Sequence, residues 1–308
     1  MRAVQGFWRA VALLGAVLLM SCKGEEGEVR ACLAPEARGA RVLVPAGRFL
    51  MGAEPRYPEE GPPRLVEVPA FEMDVHEVTN AQFARFVADT GYVTVAERLP
   101  PALEGVPPEM LQPGSATFTV PARAGDSWWT WTVGANWRQP EGPGSSIAER
   151  DDEPVVQIGL EDARAYADWA GGTLPDEAQW EYAARAGEAA LAEPVDAAGR
   201  HLANTYQGVF PARDLGEDGF MGRAPVGCYK ANGFGLHDMI GNVWEWTQTT
   251  AGVQRHVIKG GSYLCAANYC ARYRPSARQF QELDLGTNHL GFRLVYPVMV
   301  SPAGGSGA

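Results

Sequence analysis

A loop-rich α+β domain is the fold class this sequence predicts, and three observations predict it. The 308 residues include 36 Gly and 23 Pro, more chain punctuation than a helical bundle or a parallel sheet carries. Segments that alternate apolar and polar residues are short and scattered, and stretches with helical spacing are few. The composition, 46% hydrophobic and 20% charged, is that of an ordinary globular protein able to bury a sizeable core.

The elements follow in chain order. Arg41 to Met51 alternates around Pro45-Ala46-Gly47 and reads as a strand entering a turn, with Val66-Glu67-Val68 and Phe71-Glu72-Met73-Asp74 as further short strands. In Thr79 to Val87, the residues Phe83, Phe86 and Val87 share one helical face behind a Thr79 or Asn80 cap. Leu99 to Thr132 is Pro-rich without clear period, which predicts a long ordered excursion over the surface. Trp128, Trp129 and Trp131 in it either line a peptide cleft or pack the excursion onto the core. Glu161 to Ala170 carries Ala163, Tyr166, Ala167 and Ala170 at helical spacing. A third helix is expected from Pro175 to Ala186, because Pro175 suits a first turn and Asp176 and Glu177 complement the helix dipole. These elements form one expected domain over residues 41–297, with no linker and no repeat of fixed period. Residues 298–308 are expected to be a disordered tail.

A net charge of −11 and the lack of a basic stripe argue against nucleic acid as a partner. At the N-terminus, Arg2 and Arg9 flank the start of an apolar stretch, Val11 to Met20, that is too short to span a bilayer, so residues 1–21 read as an export signal. The sequence Leu19-Met20-Ser21-Cys22 resembles a bacterial lipoprotein cleavage site. That resemblance implies lipidation of Cys22, a tether over residues 22–40, and an exported, membrane-anchored protein facing the periplasm. The competing reading is an ordinary cleaved signal with a chance cysteine.

Four other cysteines remain. An exported protein tolerates disulfides, so Cys32–Cys228 is a candidate staple, against the alternative of two unpaired buried thiols; four cysteines allow three connectivities. Cys265 and Cys270 are five residues apart, on opposite faces of a strand and about 140° apart on a helix, so only an irregular segment brings them together. Gly260 and Gly261 just before them favour such a segment. Converged thiols form a disulfide or, as thiolates, a soft site that selects Cu(I) or Zn(II) over harder ions.

The stretch Lys259-Gly260-Gly261-Ser262-Tyr263-Leu264-Cys265-Ala266-Ala267-Asn268-Tyr269-Cys270-Ala271-Arg272-Tyr273-Arg274 resembles the catalytic segment of the aerobic formylglycine-generating enzymes, or sulfatase-modifying factors. The resemblance runs from Val42-Leu43-Val44-Pro45-Ala46-Gly47 through Gly134-Ala135-Asn136-Trp137-Arg138, Leu174-Pro175-Asp176-Glu177 and Gly241-Asn242-Val243-Trp244-Glu245-Trp246 to Leu290-Gly291-Phe292-Arg293. It implies the loop-rich formylglycine-generating-enzyme fold, a relative of the C-type lectins. It further implies a copper-dependent oxidase that uses O2 to convert a cysteine of an unfolded, exported, sulfatase-like polypeptide to Cα-formylglycine.

By the same resemblance Cys265 and Cys270 hold Cu(I), to which the substrate cysteine adds a third sulfur, and Ser262 and Tyr269 are catalytic neighbours. The bland readings are turn chemistry for Ser262 and packing for Tyr269. Ser145 and His289 are the implied substrate-binding residues. Two calcium ions are implied, one at Asn204, Thr205, Asp218 and Phe220 and one at Asp238, Gly241, Val243 and Glu245, where a hard ion collects carboxylate, amide and carbonyl oxygens. Asn, Asp and Gly also cluster in loops for turn reasons alone. The chain departs from the family pattern at Pro143-Gly144-Ser145, where Pro-Asp-Ser is usual, at Ala266, where His is frequent, and across Gln279 to Asn288. These departures bear on peptide specificity.

Two rival readings differ in class. A non-catalytic binding module of the same fold would lack the cysteine pair. An iron-dependent sulfoxide synthase would need three histidines, whereas the five here, at 76, 201, 237, 256 and 289, contain no His-x-x-x-His pattern.

Overall fold

Helical spacing and capping place the helices of this chain close to where the sequence predicts them. A computed structural model describes residues 32–34, 37–102, 104–123, 125–187 and 193–298. Strands β1 (Arg41–Val44), β2 (Gly47–Met51), β3 (Arg64–Val68) and β4 (Phe71–Asp74) lead into α1 (Asn80–Thr90). Next come β5 (Gly114–Phe118), β6 (Trp129–Val133), α2 (Leu160–Ala170) and α3 (Glu177–Arg185). The chain continues through β7 (Gly208–Val209), β8 (Arg213–Asp214), β9 (Trp244–Thr250), β10 (Arg255–Lys259), β11 (Gln279–Glu282), β12 (Leu290–Gly291) and β13 (Val295–Pro297).

Thr79 caps α1 reciprocally: its hydroxyl accepts from the Gln82 amide, and the Gln82 side chain accepts from the Thr79 amide at 2.8 Å. Gly91, at φ +66°, ends the helix in the left-handed conformation. Helix α3 starts two residues later than expected. Asp176 is its cap, accepting from Gln179 N at 2.7 Å, and Pro175 stays outside, where its carbonyl accepts from Gln248 N.

One three-stranded antiparallel sheet has the order β1-β4-β13, and a four-stranded sheet has the order β11-β10-β9-β12, with β12 parallel to β9. The excursion expected to lack periodicity contains an antiparallel pair, β5 with β6, in the register Ala116↔Trp131. Its alternation of Trp129, Thr130, Trp131 and Thr132 is a strand pattern that the Pro-rich flanks hid. The main core is aromatic. Phe83 meets Trp137, Phe86 and Phe292 edge to face and stacks on Tyr166 at 5.9 Å.

The described residues fall in one compact unit, α+β in class. Cys32 and Cys228 form a disulfide, and Arg38 pairs with Asp152 at 2.6 Å, so the segment before β1 is tied to the domain. The expected export signal, Cys22, the first part of the tether and the tail beyond residue 298 lie outside the described residues. No helix among the described residues is long and apolar enough to cross a membrane.

Candidate active site

Strand β10 ends at Lys259, and the chain then turns through Gly260 at φ +97° and Gly261 at φ +72°. A Cβ at Gly261 would stand 2.7 Å from the Tyr273 Cα, so only glycine lets the returning chain pass this close. Between them the segment is irregular: Cys265 N donates to Ser262 O at 2.9 Å, and Tyr269 N and Cys270 N both donate to Ala266 O. This folding brings the two free thiols together with Sγ atoms 3.9 Å apart, Cys265 buried and Cys270 half-buried.

The pair shares a hydrogen bond, and that bond is the main cause of opposite shifts. Cys265 is pushed well above the usual thiol range, with burial adding to the effect. Cys270 is pulled below it, helped by Arg272, whose Nη1 lies 3.9 Å from the Cys270 sulfur. Arg272 is itself clamped by Glu59 at 2.6 Å and stacked 4.0 Å over the Tyr57 ring. Sequence reasoning missed this clamp, because Glu59 and Arg272 are 213 residues apart and neither sits in a motif.

The thiols open into a cavity of about 670 Å³ walled by Phe118, Trp128, Trp129 and Phe210. Tyr269 is exposed at its edge and stacks on Phe210 at 4.6 Å, with Trp128 edge-on at 5.7 Å. Ser262 lines the cavity, yet its hydroxyl also accepts from Leu264 N at 3.2 Å, so turn chemistry and a site role coincide. His289 lines it too, 4.8 Å from Trp129, with Nδ1 2.6 Å from the Thr287 hydroxyl. Burial pushes this imidazole down to about 3, which keeps it neutral. Ser145 lies elsewhere, in an adjoining cavity of about 710 Å³ that shares Phe118 and Leu264 with the first. Its hydroxyl donates to Gly142 O at 2.7 Å and accepts from Glu141 N, holding a turn. Of the three tryptophans of the excursion, Trp128 and Trp129 therefore line the thiol cavity and Trp131 does not.

Two thiols stand alone as soft donors: among the described residues no three or more His, Cys, Asp or Glu side chains converge on a metal position. A low-coordinate d¹⁰ ion such as Cu(I) fits two converged sulfurs with room left for a third.

For calcium the two implied sets differ. In the first, Asn204 Oδ1 is buried with no hydrogen-bond partner among the described residues. The Gln207 amide nitrogen is drawn onto both the Thr205 carbonyl and Asp218 Oδ2. A donor held between two oxygens, beside an orphaned third, fits an oxygen cage for a hard cation. In the second, Asp238 accepts from Gly227 N at 2.6 Å. Both Glu245 oxygens are taken by Arg293, at 2.7 and 2.8 Å, and Trp180 Nε1 adds a bond at 2.7 Å. Glu245 Oε2 is thereby filled twice, while Oε1, which takes Arg293 alone, is the Glu245 oxygen with a lone pair left for a cation. Gly241 joins the sets, because a Cβ on it would collide with the Asn204 carbonyl.

Comparison with known proteins gives one consistent result. A family model described as sulfatase-modifying factor enzyme 1-like domain matches residues 31–298. A Mycobacterium tuberculosis protein named formylglycine-generating enzyme is 47% identical over 82% of this chain and 96% of its own. A Mus musculus protein named inactive C-alpha-formylglycine-generating enzyme 2 is 38% identical over 82% of this chain and 84% of its own. Among solved structures, PvdO from Pseudomonas aeruginosa superposes with a TM-score of 0.59 at 22% identity, over 84% of this chain and 94% of that one, a likeness of fold.

Proposed function

The chain belongs to the sulfatase-modifying factor enzyme 1-like family, and from that premise we propose that it oxidises a cysteine of a polypeptide substrate to Cα-formylglycine at the Cys265–Cys270 pair. The observation that carries the reading is the convergence of two free thiols, 3.9 Å apart, at an aromatic cavity large enough for a short peptide.

Cys265 and Cys270 would hold Cu(I), which when bound supplies the activation of dioxygen for removal of hydrogen from the substrate Cβ. The protein's own residues do the rest. The irregular segment fixes the sulfurs, and Arg272, clamped by Glu59, favours the thiolate at Cys270. Phe118, Trp128, Trp129 and Phe210 seat the peptide and keep water from the thiols. The Ser262 hydroxyl and neutral His289, which line the cavity, would orient the substrate thiol. In the reaction the substrate Cβ–thiol group loses two electrons and two protons and becomes a thioaldehyde, while dioxygen takes them up and is reduced to the level of hydrogen peroxide. Water then replaces sulfur, giving the aldehyde and hydrogen sulfide. Asn204, Thr205, Asp218 and Phe220 would hold a structural calcium ion. The N-terminal sequence supports an exported, membrane-anchored protein, and an exported sulfatase-like polypeptide is the substrate class that suits it.

The test is conversion of a cysteine peptide by copper-loaded protein in air, read as an aldehyde by mass spectrometry and by oxime labelling. Cys265→Ser and Cys270→Ser are each expected to lose copper binding and at least about a thousandfold in conversion while remaining folded, since one thiolate holds Cu(I) poorly against competing thiols. Full activity in either variant would sink the mechanism.

A further inference from the structure

Two cavities meet at Phe118 and Leu264, next to Cys265, and their unmatched charges are opposite. In the thiol cavity Glu59 neutralises Arg272, which leaves Arg255, at the start of β10, as a cation with no ion-pair partner among the described residues. Its guanidinium lies 5.6 Å from the Phe280 ring centre, a contact that steadies the group, and Glu282, directly opposite it on β11, forms no ion pair with it. In the adjoining cavity Arg223 is matched by Glu141 at 2.9 Å and Glu153 at 3.3 Å, with Arg150 3.8 Å from Glu153. The anion left over there is Asp214, in β8, whose Oδ1 is fixed by Gln207 N and Gly216 N at 3.2 Å each.

We propose that Arg255 and Asp214 set the direction in which a peptide lies across the thiols. Arg255 takes a carboxylate-bearing side chain on one side of the reacting cysteine, and Asp214 rejects one on the other side. The proposal rests on the reading above that the cavity seats a cysteine peptide, and it adds the charge pattern of that peptide. Aromatic side chains in the linings of both cavities, Phe118 shared between them, lower the local dielectric, which strengthens both the attraction and the repulsion. A pair of this kind discriminates by opposing the wrong orientation as well as favouring the right one.

The experiment uses the full chain and peptides in which serine replaces the reacting cysteine, so that binding needs no metal. Each peptide carries one glutamate, before or after the serine, or glutamine in its place, and binding is followed by tryptophan fluorescence, since Trp128 and Trp129 line the cavity. One glutamate placement is expected to bind about three- to fivefold tighter than its glutamine counterpart at low salt, and the other to bind more weakly. Both differences should fade near about 0.5 M salt. Arg255→Gln should remove the preference, Arg255→Glu should transfer it to lysine peptides, and Asp214→Asn should relax the rejection. Equal affinity for both placements, or an unchanged preference in Arg255→Glu, overturns the proposal. Turnover of matching cysteine peptides, measured in parallel, separates the two readings. Charge preference without aldehyde removes the oxidase, and aldehyde without charge preference removes the orientation.

Discussion

Gly144 shows at residue scale why a family pattern does not transfer by letter. It stands where a carboxylate is usual, at φ +95° with open space around its Cα, so an aspartate there has room but not the backbone. Gly144→Asp is expected to cost about 1–2 kcal/mol in urea denaturation, because a residue with a Cβ pays that much in the left-handed region. An unchanged midpoint would show that the turn relaxes at no cost. The cysteine pair was legible from spacing and neighbours, whereas the Glu59 and Tyr57 clamp on Arg272 was not. Glu245 likewise reads as a ligand in its motif, and only the fold shows that its carboxylate also takes a bidentate Arg293.

At the scale of elements, the segment from Gly260 to Tyr273 has no regular hydrogen-bond ladder, so its shape rests on two left-handed glycines and a few turns. Gly261→Ala meets both an unfavourable φ and a backbone clash with Tyr273. Its expected cost is about 2–4 kcal/mol together with loss of copper binding, checked by urea denaturation and metal titration. Wild-type copper affinity in that variant would show that the thiols converge without this turn. The helices were legible because periodicity and caps are local, as the Thr79–Gln82 and Asp176–Gln179 pairs show. Strands β5 and β6 were not, since the short alternation of β6 is masked by its Pro-rich flanks and its partner lies ten or more residues away in sequence.

Over the whole molecule, the implied calcium oxygens come from segments that meet only in the fold: the Asn204 carbonyl lies against Gly241, and Asn204 Nδ2 reaches Asn242 Oδ1 at 3.0 Å. An ion bound only by the native state stabilises it by about 2.7 kcal/mol at a hundredfold excess over its Kd. Moving from millimolar calcium to a strong chelator is therefore expected to lower Tm by about 4–5 °C for a chain of this size. An unchanged Tm would remove the calcium assignment. The sequence by itself determined the α+β class, the three helices, the thiol pair and the family resemblance, because spacing, caps and short motifs are properties of neighbouring residues. Only the tertiary structure decided that Cys32 bonds Cys228, that Ser145 lies outside the thiol cavity, that Glu245 answers Arg293, and that Arg255 and Asp214 have no ion-pair partner among the described residues of their adjoining cavities. Those outcomes depend on which side chains approach one another across long sequence separations, and burial and charge pairing between distant segments leave no period in the sequence to read.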